Sequence, residues 1–117
     1  MRLHHVNVLV PVGTTASVVG FYELLGLTPA AKPGERAGAW FDLPDGTQVH
    51  VSERDGPRHP DSHFALVSDD LDALAARLGS AGHPWSDGPG LDGARRGTTR
   101  DPQGNLVEVL EPRGPFA

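Results

Sequence analysis

Leu43-Pro44-Asp45-Gly46-Thr47-Gln48-Val49-His50-Val51 returns 58 positions later as Asp101-Pro102-Gln103-Gly104-Asn105-Leu106-Val107-Glu108-Val109, with the Pro, the Gly and both Val residues kept. The same offset carries His5 onto His63 and His50 onto Glu108. Each half therefore sets a metal-competent side chain 45 residues after its first one. Self-similarity at a fixed offset is the mark of a duplicated module. Neither half, at under 60 residues, has enough chain to bury the apolar side of a sheet alone, so the modules are expected to complete one domain over 1–117, with module one about 1–55 and module two about 62–113.

Working outward, Val6, Val8 and Val10 alternate with His5, Asn7 and Leu9, the period-two pattern of a strand over 3–10. Apolar residues at Val18, Phe21, Tyr22 and Leu25 follow helical spacing over 14–25, and Gly26 supplies a left-handed stop. Strands are read over 37–43 and 48–52, joined around Pro44-Asp45-Gly46, with a polar loop over 53–62. The second half repeats the order: a strand over 63–67, then a helix capped by Asp69 or Asp70 with Leu71, Leu74 and Leu78 on its apolar stripe, ended by Gly79 or Gly82. Strands near 95–100 and 106–110 close it, around the Asp101–Asn105 turn. The helices break the offset: Leu25-Gly26 aligns with Leu78-Gly79, a shift of 53.

Composition narrows the function classes. With 38% hydrophobic and 21% charged residues, this is an ordinary globular chain. Ten Lys and Arg stand against fifteen Asp and Glu, without a basic run to track a phosphate backbone, so nucleic acid is not the expected partner. There is no cysteine, which removes disulfides, thiolate catalysis and sulfur ligands, so a metal site must use His and carboxylate. No apolar stretch approaches membrane-spanning length and the start has no apolar signal core, so the expectation is no membrane and a cytoplasmic location.

The chemistry gathers on one face. Val6, Val49, Val51, Phe64, Val107 and Val109 neighbour the four candidate ligands, and alternation sends His5, His50, His63 and Glu108 to the opposite side. With helices covering the Val and Phe side, the four polar groups converge where burial without a partner is costly, and a divalent ion (zinc, nickel, iron or manganese) is the economical partner. Glu108 adds negative charge and a proton acceptor, making it the candidate catalytic residue. Asn7 and Gln48 share this face, Trp40 is a candidate wall, and Arg96 is a candidate carboxylate clamp; these four are the substrate-binding candidates. His4, His59 and His83 are left outside the site.

His5-Val6-Asn7, Phe21-Tyr22, Leu25-Gly26-Leu27, His63-Phe64-Ala65 and Asp101-Pro102-Gln103-Gly104-Asn105 followed by Glu108 resemble the vicinal oxygen chelate superfamily, the glyoxalase, bleomycin-resistance and extradiol dioxygenase group. The resemblance implies an α+β fold of two βαβββ modules pairing into a curved, cup-shaped mixed sheet, helices outside, around a metal. It implies His5, His50, His63 and Glu108 as ligands, a small oxygen-rich substrate chelated through two oxygens, and a homodimer. Isomerase or lyase, thiol transferase and dioxygenase activities stay open. Glyoxalase I usually has Glu or Gln where this chain has His50, which counts against that activity. Bleomycin-binding relatives hold drug in a metal-free cup, and a non-catalytic antibiotic- or metabolite-binding protein is the alternative. A structural domain with a vestigial site is the third reading.

Overall fold

The computed structural model describes residues 1–113 and shows two compact units, Met1–Arg58 and one beginning at His59, each with the order βαβββ. The first contains β1 (His5–Val10), α1 (Thr15–Leu24), β2 (Thr28–Ala30), β3 (Gly38–Asp42) and β4 (Gln48–Glu53). The second contains β5 (His63–Val67), α2 (Leu71–Ser80), β6 (Ser86–Asp87), β7 (Arg96–Arg100) and β8 (Leu106–Leu110). Their four-stranded sheets have the equivalent orders β1-β4-β3-β2 and β5-β8-β7-β6, one parallel pair and two antiparallel pairs in each. The expected α+β duplication is present. Among the described residues, no helix is long and apolar enough to cross a membrane.

In the first unit Val6, Val8 and Val10 register beside Val49, Val51 and Glu53, and Phe41 pairs with Val49. This is the face that α1 covers: Tyr22 sets its ring 5.6 Å from Phe41, and Val18, Phe21 and Tyr22 are fully buried. Glu53, at the end of β4, lies on this side and accepts from the Gly13 and Thr15 backbone N–H groups and the Thr15 hydroxyl. The N-cap Thr14 makes no side-chain cap bond, so a carboxylate from the sheet accepts from the helix's first N–H instead.

In the second unit Leu71, Leu74 and Leu78 are buried as the stripe predicts, and Asp70 is the cap, accepting from the Ala73 N–H. Arg95 leads into β7 with the same alternation as Gly97 and Thr99, and its ion pair with Asp72 places α2 on their side of the sheet. Gly97 is required there, because a Cβ would run into the Trp85 ring.

The helix alignment is corrected. Gly26 donates to Glu23 O and Leu27 to Tyr22 O; Gly82 donates to Gly79 O and His83 to Leu78 O. Both glycines have positive φ, 96° and 80°. Gly26 thus corresponds to Gly82, an offset of 56 instead of 53, and Gly79 lies within α2. Matching hydrogen-bond closures define equivalence better than a Leu-Gly pair in the sequence.

Candidate functional site

Strand alternation puts every candidate on the sheet face opposite its helix. In the first unit these are His5 and Asn7 on β1, Trp40 on β3, and Gln48 and His50 on β4; in the second they are His63, Arg96 and Glu108. Asn7 accepts from the Ser52 hydroxyl at 2.8 Å.

The first unit builds an aromatic stack. The His50 ring lies between Trp40, at 3.9 Å and 3° from parallel, and His5, at 4.0 Å and 17°. The register sets this up, since Trp40 and Asn7 flank His50 across the two ladders and His5 is two positions back on the same face as Asn7. Only 7% of His50 is exposed. Burial, followed by the charges of His5 and His4, lowers its pKa below the ordinary imidazole value, so this ring is neutral near pH 7.

A polar relay fixes the ring's tautomer. The Gln48 amide nitrogen donates to Asp42 Oδ1 at 2.8 Å, which turns its oxygen toward His50 Nε2, also at 2.8 Å. That oxygen only accepts, so Nε2 of neutral His50 carries the proton and Nδ1 the lone pair. His5 Nδ1 stands 2.9 Å from His4 Nδ1. When His5 is the donor of that pair, its Nε2 is left free, the tautomer of a metal ligand. His4 therefore belongs beside the site, contrary to the sequence expectation, and Asp42 joins it as the end of the relay.

In the second unit His63 Nε2 and Glu108 Oε2 are 3.1 Å apart, while the other carboxylate oxygen accepts from Arg96 at 3.2 Å. Arg96 is itself held by donation from Nε to Pro89 O at 2.9 Å. His63 Nδ1 faces Asp61 O at 2.7 Å, and a carbonyl can only accept, so Nδ1 is the protonated nitrogen. In a neutral ring the Nε2 lone pair then points at a buried carboxylate. Two acceptors face each other, and a proton or a metal ion relieves the repulsion. A backbone carbonyl fixing the far nitrogen of a histidine is a common support for metal ligation. The donor chemistry of neutral imidazole plus carboxylate fits a divalent ion. Among the described residues, no group of three His, Asp or Glu side chains forms a metal cluster.

The Asp101–Asn105 turn is a scaffold. Asp101 is buried and accepts from the Gln103 and Asn105 backbone and the Asn105 amide, while Arg100 donates to Gly104 O and Pro60 O. These bonds fix the start of β8 two residues before Glu108.

Residues 2–109 match the model of the Glyoxalase/Bleomycin resistance protein/Dioxygenase superfamily. The chain belongs to that superfamily. Among solved structures, a glyoxalase family protein from Bacillus anthracis is similar at 28% identity and a TM-score of 0.85, over 95% of this chain and 94% of that one. The oxidase ChaP-H2 is similar at 26% identity and a TM-score of 0.76, over 97% and 94%. TnmS3, an antibiotic-binding protein from Streptomyces sp. CB03234, shares the fold at 22% identity and a TM-score of 0.77, over 97% of each chain. No functionally curated protein matches the chain significantly. The superfamily contains both enzymes and binding proteins, so membership leaves the activity to be argued from the site.

Proposed function

We propose that the two units act as one domain of a metal-dependent enzyme, in which His5, His63 and Glu108 hold a divalent ion and a small oxygen-rich substrate chelates it through two oxygens. The carrying observation is the His63–Glu108 pair: a ring whose Nδ1 faces Asp61 O and whose Nε2 lies 3.1 Å from an oxygen of a buried carboxylate. The ion supplies Lewis-acid polarisation of the substrate oxygens, the chemistry shared by isomerases, lyases, thiol transferases and dioxygenases of this kind. Zinc, nickel and manganese suit proton transfer or addition, and iron suits oxygen chemistry.

The protein's own residues divide the remaining work. Glu108 accepts a proton from the bound substrate, and Arg96 steadies it while offering its guanidinium to a substrate oxygen. Trp40, Asn7 and Gln48 line the same side as His5 and contact the substrate body. A homodimer working in the cytoplasm completes the reading. The second reading, a non-catalytic binding protein, is favoured by the Trp40–His50–His5 stack, whose outer ring faces are of the kind on which planar ligands stack.

Elemental analysis of tag-free protein purified without chelator separates the two. The enzyme reading expects about one ion per chain, the stoichiometry of a mononuclear catalytic site, and its loss in both His5→Ala and Glu108→Ala. A wild-type chain that stays empty after reconstitution with iron, zinc, nickel and manganese leaves the binding-protein reading standing.

A further inference from the structure

We propose that His50 is a positioning residue for His5 and not a ligand of the ion, an inference that rests on the metal-site reading above. An imidazole binds a metal along a lone pair in its own plane, at about 2 Å. The His5 and His50 planes are stacked 4.0 Å apart and only 17° from parallel, so they do not converge on a point within that reach. One ion cannot lie in both planes.

The surroundings of His50 resist the rotation that coordination would need. Trp40 covers its second face almost in parallel, and Nε2 is held to Gln48, which is held to Asp42. Turning the ring breaks a part-buried hydrogen bond and separates two stacked faces. His5 is exposed and, among the described residues, is restrained by His4 and by the stack alone. The rigid plate is therefore His50, and the ring that it orients is His5. Trp40, Gln48 and Asp42 do for His5, through His50, what the Asp61 carbonyl does for His63.

Ring nitrogen chemical shifts of the histidines, read in the wild-type protein during titration with zinc chloride, test this directly. His50 is expected as the Nε2–H tautomer before zinc and with Nδ1 unprotonated and unshifted at saturation, while His5 and His63 move as coordinated nitrogens do. A coordination shift at His50 Nδ1 overturns the proposal.

Zinc affinity of variants supplies the second arm. His50→Phe keeps the stack without a lone pair and is expected to keep full stoichiometry, whereas His50→Ala frees His5 and lowers affinity by about tenfold, the scale of lost outer-shell support. Loss of zinc from a folded His50→Phe protein equal to that of His5→Ala overturns it as well. If wild-type protein takes up none of zinc, iron, nickel and manganese, the metal-site reading fails on its own. Zinc-free spectra then judge the positioning role. His5 ring protons shifted upfield by stacking, in wild type and His50→Phe but not His50→Ala, support it, and shifts equal in all three overturn it.

Discussion

Thr99 carries the one side-chain polar atom that is buried without a hydrogen-bond partner among the described residues, its Oγ1. It points to the α2 side of the second sheet, beside Val107, where its neighbours ask for a methyl group. Valine is nearly isosteric and removes the unpaired hydroxyl, so Thr99→Val is expected to raise stability by about 1 kcal/mol. In urea unfolding the midpoint moves up with the slope unchanged. An unmoved midpoint shows that the hydroxyl is satisfied in solution. The same scale explains which parts of the site could be read beforehand. His5, His50, His63 and Glu108 stood out through chemistry and repeat together, whereas Asp42 and His4 had chemistry without a repeat partner. The support for His63 comes from the Asp61 backbone, which no side-chain pattern announces.

At the scale of elements, long amphipathic segments were legible and short ones were not. β1, β4, β5 and β8 alternate over five or six residues, enough for a period to show. β2 and β6 have three and two residues and were missed. β2 also contains Pro29, which an edge strand tolerates and a sequence pattern reads as a break. The helix starts differ in a similar way. Asp70 caps α2 locally and is readable, but α1 is capped by Glu53 from 38 residues away. Its hydrogen bonds to Gly13 and Thr15 lower the Glu53 pKa below the usual 4.5. A carboxylate whose folded pKa is depressed stabilises above its unfolded pKa, and that contribution fades as pH falls through the folded one. Glu53→Gln is therefore expected to melt lower than wild type at pH 7, with the difference shrinking as pH falls below the usual carboxylate value of about 4.5. Thermal melts followed by circular dichroism across that range test it, and a gap that does not depend on pH denies Glu53 the charged cap.

For the whole molecule, the 58-residue repeat is the most informative feature of the sequence, because it specifies a duplicated module and the equivalence of four positions; the division into two four-stranded sheets of equal order is seen only in the structure. The repeat could not specify cooperation between the units, since it is equally compatible with two independent half-sites. Linkage distinguishes these cases. A ligand that binds only the folded state stabilises it by about 2.7 kcal/mol at 100 times its dissociation constant, which for a chain of this size raises the melting temperature by roughly 10 °C. If one ion takes His5 from the first unit and His63 with Glu108 from the second, His5→Ala and Glu108→Ala must each abolish the whole zinc-induced shift, and the double variant must do no more. Half-sites acting alone give another pattern: one variant keeps most of the shift, and the ion is held by the other unit, which that variant leaves intact. Differential scanning fluorimetry of wild type and three variants, with and without zinc, separates these outcomes. A shift that survives His5→Ala would mean that His5 is not a ligand, and that His63 and Glu108 bind the ion without it.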